Sequence, residues 1–445
     1  GVVRLGISFG QSGWRFYYRR TASEDFKKTG FLDYDDARQG NLDGLRLIPG
    51  SDQGYVLSDQ VTGRFALHRF DFATRTLGEL VYGDDKYDID GYTLNKDGTP
   101  QSVSYYDDRY RTHWFDEKMQ AVQDGLDKAV APLFATIMVD RYDRPRKLVF
   151  AQSGSDPGAY YLLDRTKGTL SPFSDLNDAI DPATLSETRS VRYTARDGTD
   201  IPAYLTMPKG YGDKGLPLII MPHGGPFGIR DSLSYDSWAQ FLASRGYVVL
   251  QPNYRGSGGY GTAFVELGEG QIGRAMQDDL DDGMDWLAGQ GVIDPARVCV
   301  VGASYGGYAA LWAVTRNPER YRCAVSFAGV TDWDRILRYD SQFLSNTGRR
   351  QLVGRYRGSA SFDLDAVSPI HQVDQLTRPV LIGQGDEDSR VPESQAKYYV
   401  KALENAGKTY EYKLYKGEGH GFSDPENAAD WLERLEAFLK RYNPA

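Results

Sequence analysis

Two stretches of different sequence grammar predict an all-β N-terminal domain followed by an α/β domain built on a mostly parallel, doubly covered sheet. Three observations carry this expectation. The first 180 or so residues hold a loose hairpin repeat, strands alternate with helices from about Thr184 onward, and a glycine-flanked serine stands between an apolar strand and a helix near residue 304.

The N-terminal stretch is rich in Tyr and Phe, with short alternating runs separated by Gly, Asp and Asn turns. Tyr55-Val-Leu leads through Thr62-Gly63 to Phe65–Phe70, Val103-Ser-Tyr-Tyr through Asp107-Asp108 to Thr112–Phe115, and Leu148-Val-Phe through Asp156-Pro157 to Tyr160–Leu163. The unit recurs at roughly 45 residues, the spacing of four-stranded propeller blades. About four such units fit before residue 180, so this part is expected to be propeller-like and incomplete. The expected domains are 1–180 and 181–445.

In the second stretch Leu216–Pro222, Tyr247–Pro252, Val298–Gly302, Ala324–Phe327, Val380–Ile382 and Tyr410–Tyr415 read as strands. Ser237–Ser244, Met276–Ala288, Tyr305–Thr315, Glu393–Asn405 and a last segment from about Pro425 read as helices. Asp424 before Pro425 suits a helix start, and Trp431, Leu435, Phe438, Leu439 and Tyr442 form its apolar stripe.

The chain has 445 residues, 40% of them hydrophobic and 25% charged, room for two domains of ordinary balance. No run approaches the roughly 18 apolar residues of a membrane span. A net charge of -9 disfavours nucleic acid as a partner. The two cysteines, Cys299 and Cys323, lie in apolar segments and are expected to be buried thiols, since two cysteines do not make a disulfide framework. No His/Cys/Asp spacing suggests a metal, and no cofactor is expected.

Arg297–Gly307 carries Gly-x-Ser-x-Gly at Gly302, Ser304 and Gly306, between an apolar strand and a helix. That context is the nucleophile elbow of the α/β-hydrolase fold, in which small neighbours let backbones crowd and the helix N-terminus faces the reacting centre. A serine hydroxyl needs a base. Of five histidines, His420 lies in Gly417-Glu-Gly-His-Gly421, in the loop after the last strand, where this fold delivers its histidine. His371 precedes the acid position and reads as structural, and His68 and His113 as strand or surface residues. The acid belongs after Val380–Ile382, where Asp386, Glu387 and Asp388 are all candidates. For the oxyanion hole the expected donors are the backbone N–H of Tyr305 and that of Gly225, in His223-Gly-Gly-Pro226; His223 itself is expected to brace the turn.

At these residues the chain resembles the prolyl oligopeptidase family of serine peptidases, most nearly its acylaminoacyl-peptidase branch. The resemblance covers about residues 185–445 and rests on His223-Gly-Gly-Pro226, Pro252-Asn-Tyr-Arg-Gly-Ser257, Gly302-Ala-Ser-Tyr-Gly-Gly307, Asp388-Ser-Arg-Val-Pro392 and Gly419-His-Gly421. It implies Asp388 as the acid, through the Asp-x-Arg-x-Pro pattern. It implies that Arg390 contacts a substrate carbonyl and that Trp333 lines the pocket for the residue whose acyl group is transferred. It also implies a propeller that caps the site and filters substrates by size. The family's propeller usually has more blades than are present here, so a shortened chain or a reduced cap is expected. Gln384 stands where relatives often carry histidine.

The implied chemistry is acylation and deacylation through Ser304, His420 and Asp388. Short peptides are the expected substrates, with no nucleic acid and no membrane as partners and a homo-oligomer left open; a cytoplasmic location is favoured, with a periplasmic or secreted one the alternative if a leader was removed. The aromatic pocket residues suggest an apolar preference. A carboxylesterase-like hydrolase with the same triad is the alternative.

Overall fold

The computed structural model describes residues 2–9, 13–33, 42–138, 144–344, 346–358 and 362–445. The chain forms two compact units. One comprises Gly1–Ile180 with Gly258–Phe264 and Leu344–Gln351; the other comprises Asp181–Ser257, Val265–Phe343 and Leu352–Ala445.

The first unit holds four antiparallel sheets laid down in chain order. They are β1 (Leu5–Phe9), β2 (Gly13–Tyr18) and β3 (Lys27–Asp33); β4 (Leu42–Leu47), β5 (Gln53–Ser58), β6 (Ala66–Asp71) and β7 (Thr76–Tyr82); β8 (Ile89–Leu94), β9 (Pro100–Tyr106) and β10 (Tyr110–Trp114); and β11 (Phe134–Ile137), β12 (Arg146–Ser153), β13 (Asp156–Asp164) and β14 (Thr169–Asp175). Three of the hairpins read from the sequence are the pairs β5–β6, β9–β10 and β12–β13. The period-two pattern is plainest on β12, where exposed or half-buried residues alternate with buried Lys147, Val149, Ala151 and Ser153. Tyr55, Leu57, Leu67, Ile89, Tyr92 and Val103 pack as one cluster drawn from the second and third sheets.

One helix interrupts these sheets: α1 (Glu117–Ala129), capped by Asp116, whose carboxylate accepts from Met119 N at 2.8 Å. Its Met119 and Leu126 pack on Trp114, Ile137 and Val149. No period was read there in the sequence. The segment 258–264 joins this unit through polar loops: Gly261 N donates to Asp88 at 2.9 Å and Thr262 Oγ1 to Asp59 at 2.6 Å.

The second unit is built on an eight-stranded sheet. From Asp181 on, the elements in chain order are β15 (Thr188–Thr194), β16 (Asp200–Thr206), β17 (Leu216–Ile220), α2 (Ser237–Ser244), β18 (Val248–Pro252), α3 (Thr262–Glu266), α4 (Ala275–Gly289), β19 (Ile293–Ala303), α5 (Tyr305–Arg316), β20 (Cys323–Phe327), α6 (Trp333–Ser341), α7 (Asn346–Arg357), β21 (Val380–Gly385), α8 (Ser394–Asn405), β22 (Tyr410–Tyr415) and α9 (Pro425–Tyr442), of which α3 and α7 begin in the two segments assigned to the first unit. The strand order is β15-β16-β18-β17-β19-β20-β21-β22. The pairs β15–β16 and β16–β18 are antiparallel, and every later pair is parallel. Strands β17, β18, β20 and β21 are buried along their whole length, which is why they read as continuous apolar runs. On one face α9 lays Trp431, Leu435, Phe438 and Leu439 against Val301, Val325 and Phe327.

The reading of Cys299 and Cys323 as free thiols is overturned. The parallel register of β19 and β20 sets the two directly opposite each other, with 4.9 Å between Cα atoms, and their sulfurs are bonded. Both are fully buried. A separation of 24 residues carries no hint of this pairing; only strand order and register bring them together.

Candidate active site

Ser304 sits between β19 and α5 with φ 59° and ψ -124°, a left-handed conformation that a serine adopts only when its surroundings enforce it. Its backbone N–H donates to the Phe327 carbonyl at 2.9 Å, which ties the turn to the end of β20. A Cβ on Gly302 would lie 2.5 Å from the Gly306 backbone, and one on Gly306 would lie 2.0 Å from the Pro222 carbonyl oxygen. The elbow is therefore so tight that both positions exclude any side chain.

The loop after β17 meets the serine from the other side. A Cβ on Gly224 would come within 3.4 Å of the Ser304 Cβ, and Gly225 has φ 133°. His223 is buried and stacked on Tyr254, with ring centroids 4.4 Å apart. Its Nε2 is 2.8 Å from Ser257 Oγ, and burial lowers its pKa to about 4. It is a neutral brace for the Gly224-Gly225 turn. The Pro252–Ser257 motif supplies the rest of that scaffold. Asn253 ties Asp231 by both its backbone groups, and Arg255 makes a bidentate ion pair with buried Asp279 at 2.9 and 2.7 Å.

After β21 the three acidic candidates separate. Asp386 and Glu387 face solvent, whereas the Asp388 side chain is wholly buried. Asp388 Oδ2 lies 2.7 Å from His420 Nδ1, while Oδ1 accepts from Arg390 N at 2.8 Å and Val391 N at 2.9 Å. Burial pushes its carboxyl up. The His420 hydrogen bond and the Val391 and Arg390 N–H groups outweigh that, so it lies below the usual carboxylate range. Gln384, fully buried on β21, adds an amide 3.3 Å from Oδ2 while also donating to the Val391 carbonyl at 3.0 Å.

The loop that carries His420 is braced by a residue the sequence reading passed over. Buried Glu418 accepts from Ser423 N and Oγ, Asp424 N and Asn427 Nδ2, all within 3.0 Å. The Ser423 N–H leads the set of bonds that lower its carboxyl to about 2. Its only signal was an acid between two glycines, next to the histidine. The Glu387 N–H donates to the Glu418 carbonyl at 2.9 Å, joining the acid loop to the histidine loop.

Ser304, Tyr305, Gly224, Gly225, Trp333, Arg390 and His420 all line one cleft of about 590 Å³. Arg390 reaches it from an exposed position, and Trp333 is buried at its wall against Tyr308 and Tyr356. Trp333 opens α6, whose start is fixed by Gln395 bonds to the backbone of Thr331 and Asp332 and by Ser368 Oγ accepting from Trp333 N. Neither Gln395 nor Ser368 carries any motif signal. His371 lies away from this set, 3.4 Å from Asp365 and 3.8 Å from Asp332. These three form the one group of potential metal-ligating side chains among the described residues. His68 and His113 belong to strands β6 and β10.

Sheet order and elbow together define an α/β-hydrolase domain. Residues 233–444 match the family model described as the prolyl oligopeptidase family. It is 31% identical over 436 residues to dipeptidyl aminopeptidase BIII of Pseudoxanthomonas mexicana, covering 95% of this chain and 62% of that protein. It is 29% identical over 269 residues to the human acylamino-acid-releasing enzyme, covering 58% and 35% respectively. The chain thus spans less than two thirds of the length of these relatives. Two solved structures share the fold. The Mycobacterium tuberculosis puromycin-hydrolyzing peptidase matches with TM-score 0.78 and 23% identity over 97% of this chain and 65% of that one. The Pyrococcus horikoshii acylaminoacyl peptidase matches with TM-score 0.72 and 18% identity over 100% and 68%.

Proposed function

We propose that the protein is a serine peptidase of oligopeptidase type that cleaves short peptides through an acyl-enzyme. Ser304 is the nucleophile, His420 the base and Asp388 the acid that orients it. The observation that carries this reading is the 2.7 Å His420–Asp388 hydrogen bond in a cleft that also exposes a strained serine at a helix N-terminus.

In this mechanism His420 takes the Ser304 proton as the hydroxyl attacks the carbonyl, then gives it to the leaving amine. Water repeats both steps on the acyl-enzyme. Asp388 keeps Nδ1 protonated and stabilises the imidazolium that forms. The backbone N–H groups of Tyr305 and Gly225 receive the developing oxyanion, and Arg390 at the rim receives a substrate carbonyl. The match to the prolyl oligopeptidase family model and the likeness to a dipeptidyl aminopeptidase support the peptide as substrate.

The test is a peptide-library digest with wild type and Ser304→Ala, run beside a simple ester. Peptide hydrolysis that falls on the order of 10⁴- to 10⁶-fold in the mutant is the expected result. Ester turnover with no peptide cleavage would replace the reading with a carboxylesterase, and near-normal peptide turnover by Ser304→Ala would remove the assignment of the nucleophile.

A further inference from the structure

The cleft wall contains one charge that the proposed reaction does not use. Asp340, near the end of α6, lines the same cavity as Ser304, His420, Trp333 and Tyr356. The other acids of this helix and its cap are engaged: Asp332 with Arg335 at 3.2 Å, and Asp334 with Arg357. The carboxylate of Asp340 has no hydrogen-bond or ion-pair partner among the described residues. It is half-buried, one turn beyond Ile336 and Leu337, which line the cleft with Val330.

From this we propose that Asp340 is a specificity residue that receives a cationic group of the peptide, an ammonium or guanidinium on the acyl side of the cut. The inference rests on the peptidase reading and names its substrate class. Three features argue for it. An unpartnered carboxylate partly withdrawn from water is unfavourable until a counter-charge arrives, so an apolar occupant would leave it worse off and a cation would satisfy it. The path to it is amphipathic: Trp333, Ile336 and Leu337 offer apolar surface for a long stem, and Asp340 offers the charge for its head. The aromatic faces of Trp333 and Tyr356, 5.2 Å apart, add attraction for a cation. Burial also holds the carboxyl of Asp340 above its ordinary range, and an incoming cation would reverse that. The other ionisable groups lining the cleft are Arg390, His420 and the phenols of Tyr305, Tyr339 and Tyr356, none of them ion-paired with Asp340. The apolar preference expected from the aromatic residues alone is thereby replaced by a preference for amphipathic cations.

The test measures kcat/KM for chromogenic amides with Arg, citrulline or Leu as the acyl residue, each as an N-acetylated and a free-amine dipeptide, on wild type, Asp340→Asn and Asp340→Ala. Stoichiometric labelling of Ser304 by a fluorophosphonate reports an intact site. Wild type is expected to favour Arg over its neutral isostere citrulline by roughly tenfold or more, and Asp340→Asn to bring that ratio near one with Leu turnover little changed. If the mutation instead reduces only free-amine substrates whatever their side chain, the cation received is the terminal ammonium. Equal wild-type rates for Arg and citrulline together with no free-amine preference would overturn the inference, whatever the variants do. So would an Arg preference that survives in a fully labelled Asp340→Asn. Failure of wild type to cleave any of the amides or to label would overturn the peptidase reading, and this inference with it.

Discussion

A Cβ on Gly385 would lie 2.3 Å from the carbonyl oxygen of Glu418. That near-contact sets the end of strand β21, which leads into Asp388, flush against the loop that carries His420. The same Cβ would lie equally close to the Gly419 carbonyl oxygen, so the 2.7 Å His420–Asp388 bond rests on backbone packing between segments that the chain separates by more than thirty residues.

Gly385→Ala therefore forces the two loops apart. Overpacking of this kind costs about 1–3 kcal/mol of stability. A shift on the order of 1 Å at the imidazole costs roughly 100-fold in kcat. Thermal melting and steady-state kinetics on the purified variant check both; unchanged kcat would show that the histidine loop is positioned by other contacts.

Asp388→Asn keeps an oxygen able to accept from the Arg390 and Val391 N–H groups, so the loop should keep its shape. It loses the negative charge that faces His420 Nδ1. A fall in kcat on the order of 10⁴ is expected, as for triads in general, with a melting temperature close to wild type. Kinetics and calorimetry on one preparation distinguish this from general misfolding.

Glu418 gives a signed pH effect. Its carboxyl is lowered from the ordinary 4.5 to about 2 by its hydrogen bonds, so the folded state favours the charged form. The stability it contributes is complete above 4.5 and is lost as pH falls from there toward 2. The difference in melting temperature between wild type and Glu418→Gln should be constant at neutral pH and shrink below about 4.5. A difference that stays level through that acid range would show that the charge is immaterial.

The Cys299–Cys323 bond closes a loop of 24 residues in the sequence. Denatured protein without reductant should show no reactive thiols, and two after reduction. Cross-linking a loop of this size is worth about 3 kcal/mol, so denaturant titration of the reduced protein should show a loss of that order. Two reactive thiols before reduction would mean that the cysteines pair only as packed neighbours.

Much of this protein was legible before any coordinates. The elbow serine, the histidine in its glycine loop and the alternating strands and helices are local signals: each is written in a dozen adjacent residues, because strand burial, helix capping and tight turns are local physics. Asp388 was one of three neighbouring acids until a family pattern chose among them; in the fold the choice is burial, since only the third of these carboxylates turns inward.

What only the tertiary structure decided is everything that depends on strand order and register. Helix α1 lies among hairpins and went unread, although Met119 and Leu126 give it an apolar stripe that packs on the sheets flanking it. The disulfide exists because β19 and β20 are neighbours in register. Gln395 and Ser368 matter through Thr331, Asp332 and Trp333, partners far away in sequence, and an isolated polar residue announces nothing about the partner it will find. Asp340 is the same case reversed, for its carboxylate lines the cleft with no hydrogen-bond or ion-pair partner among the described residues. Residue types and spacings determine which chemistry the chain can hold. Only close-packed folding, which sets long-range distances to within a hydrogen bond, determines which side chains meet and which wait for a substrate.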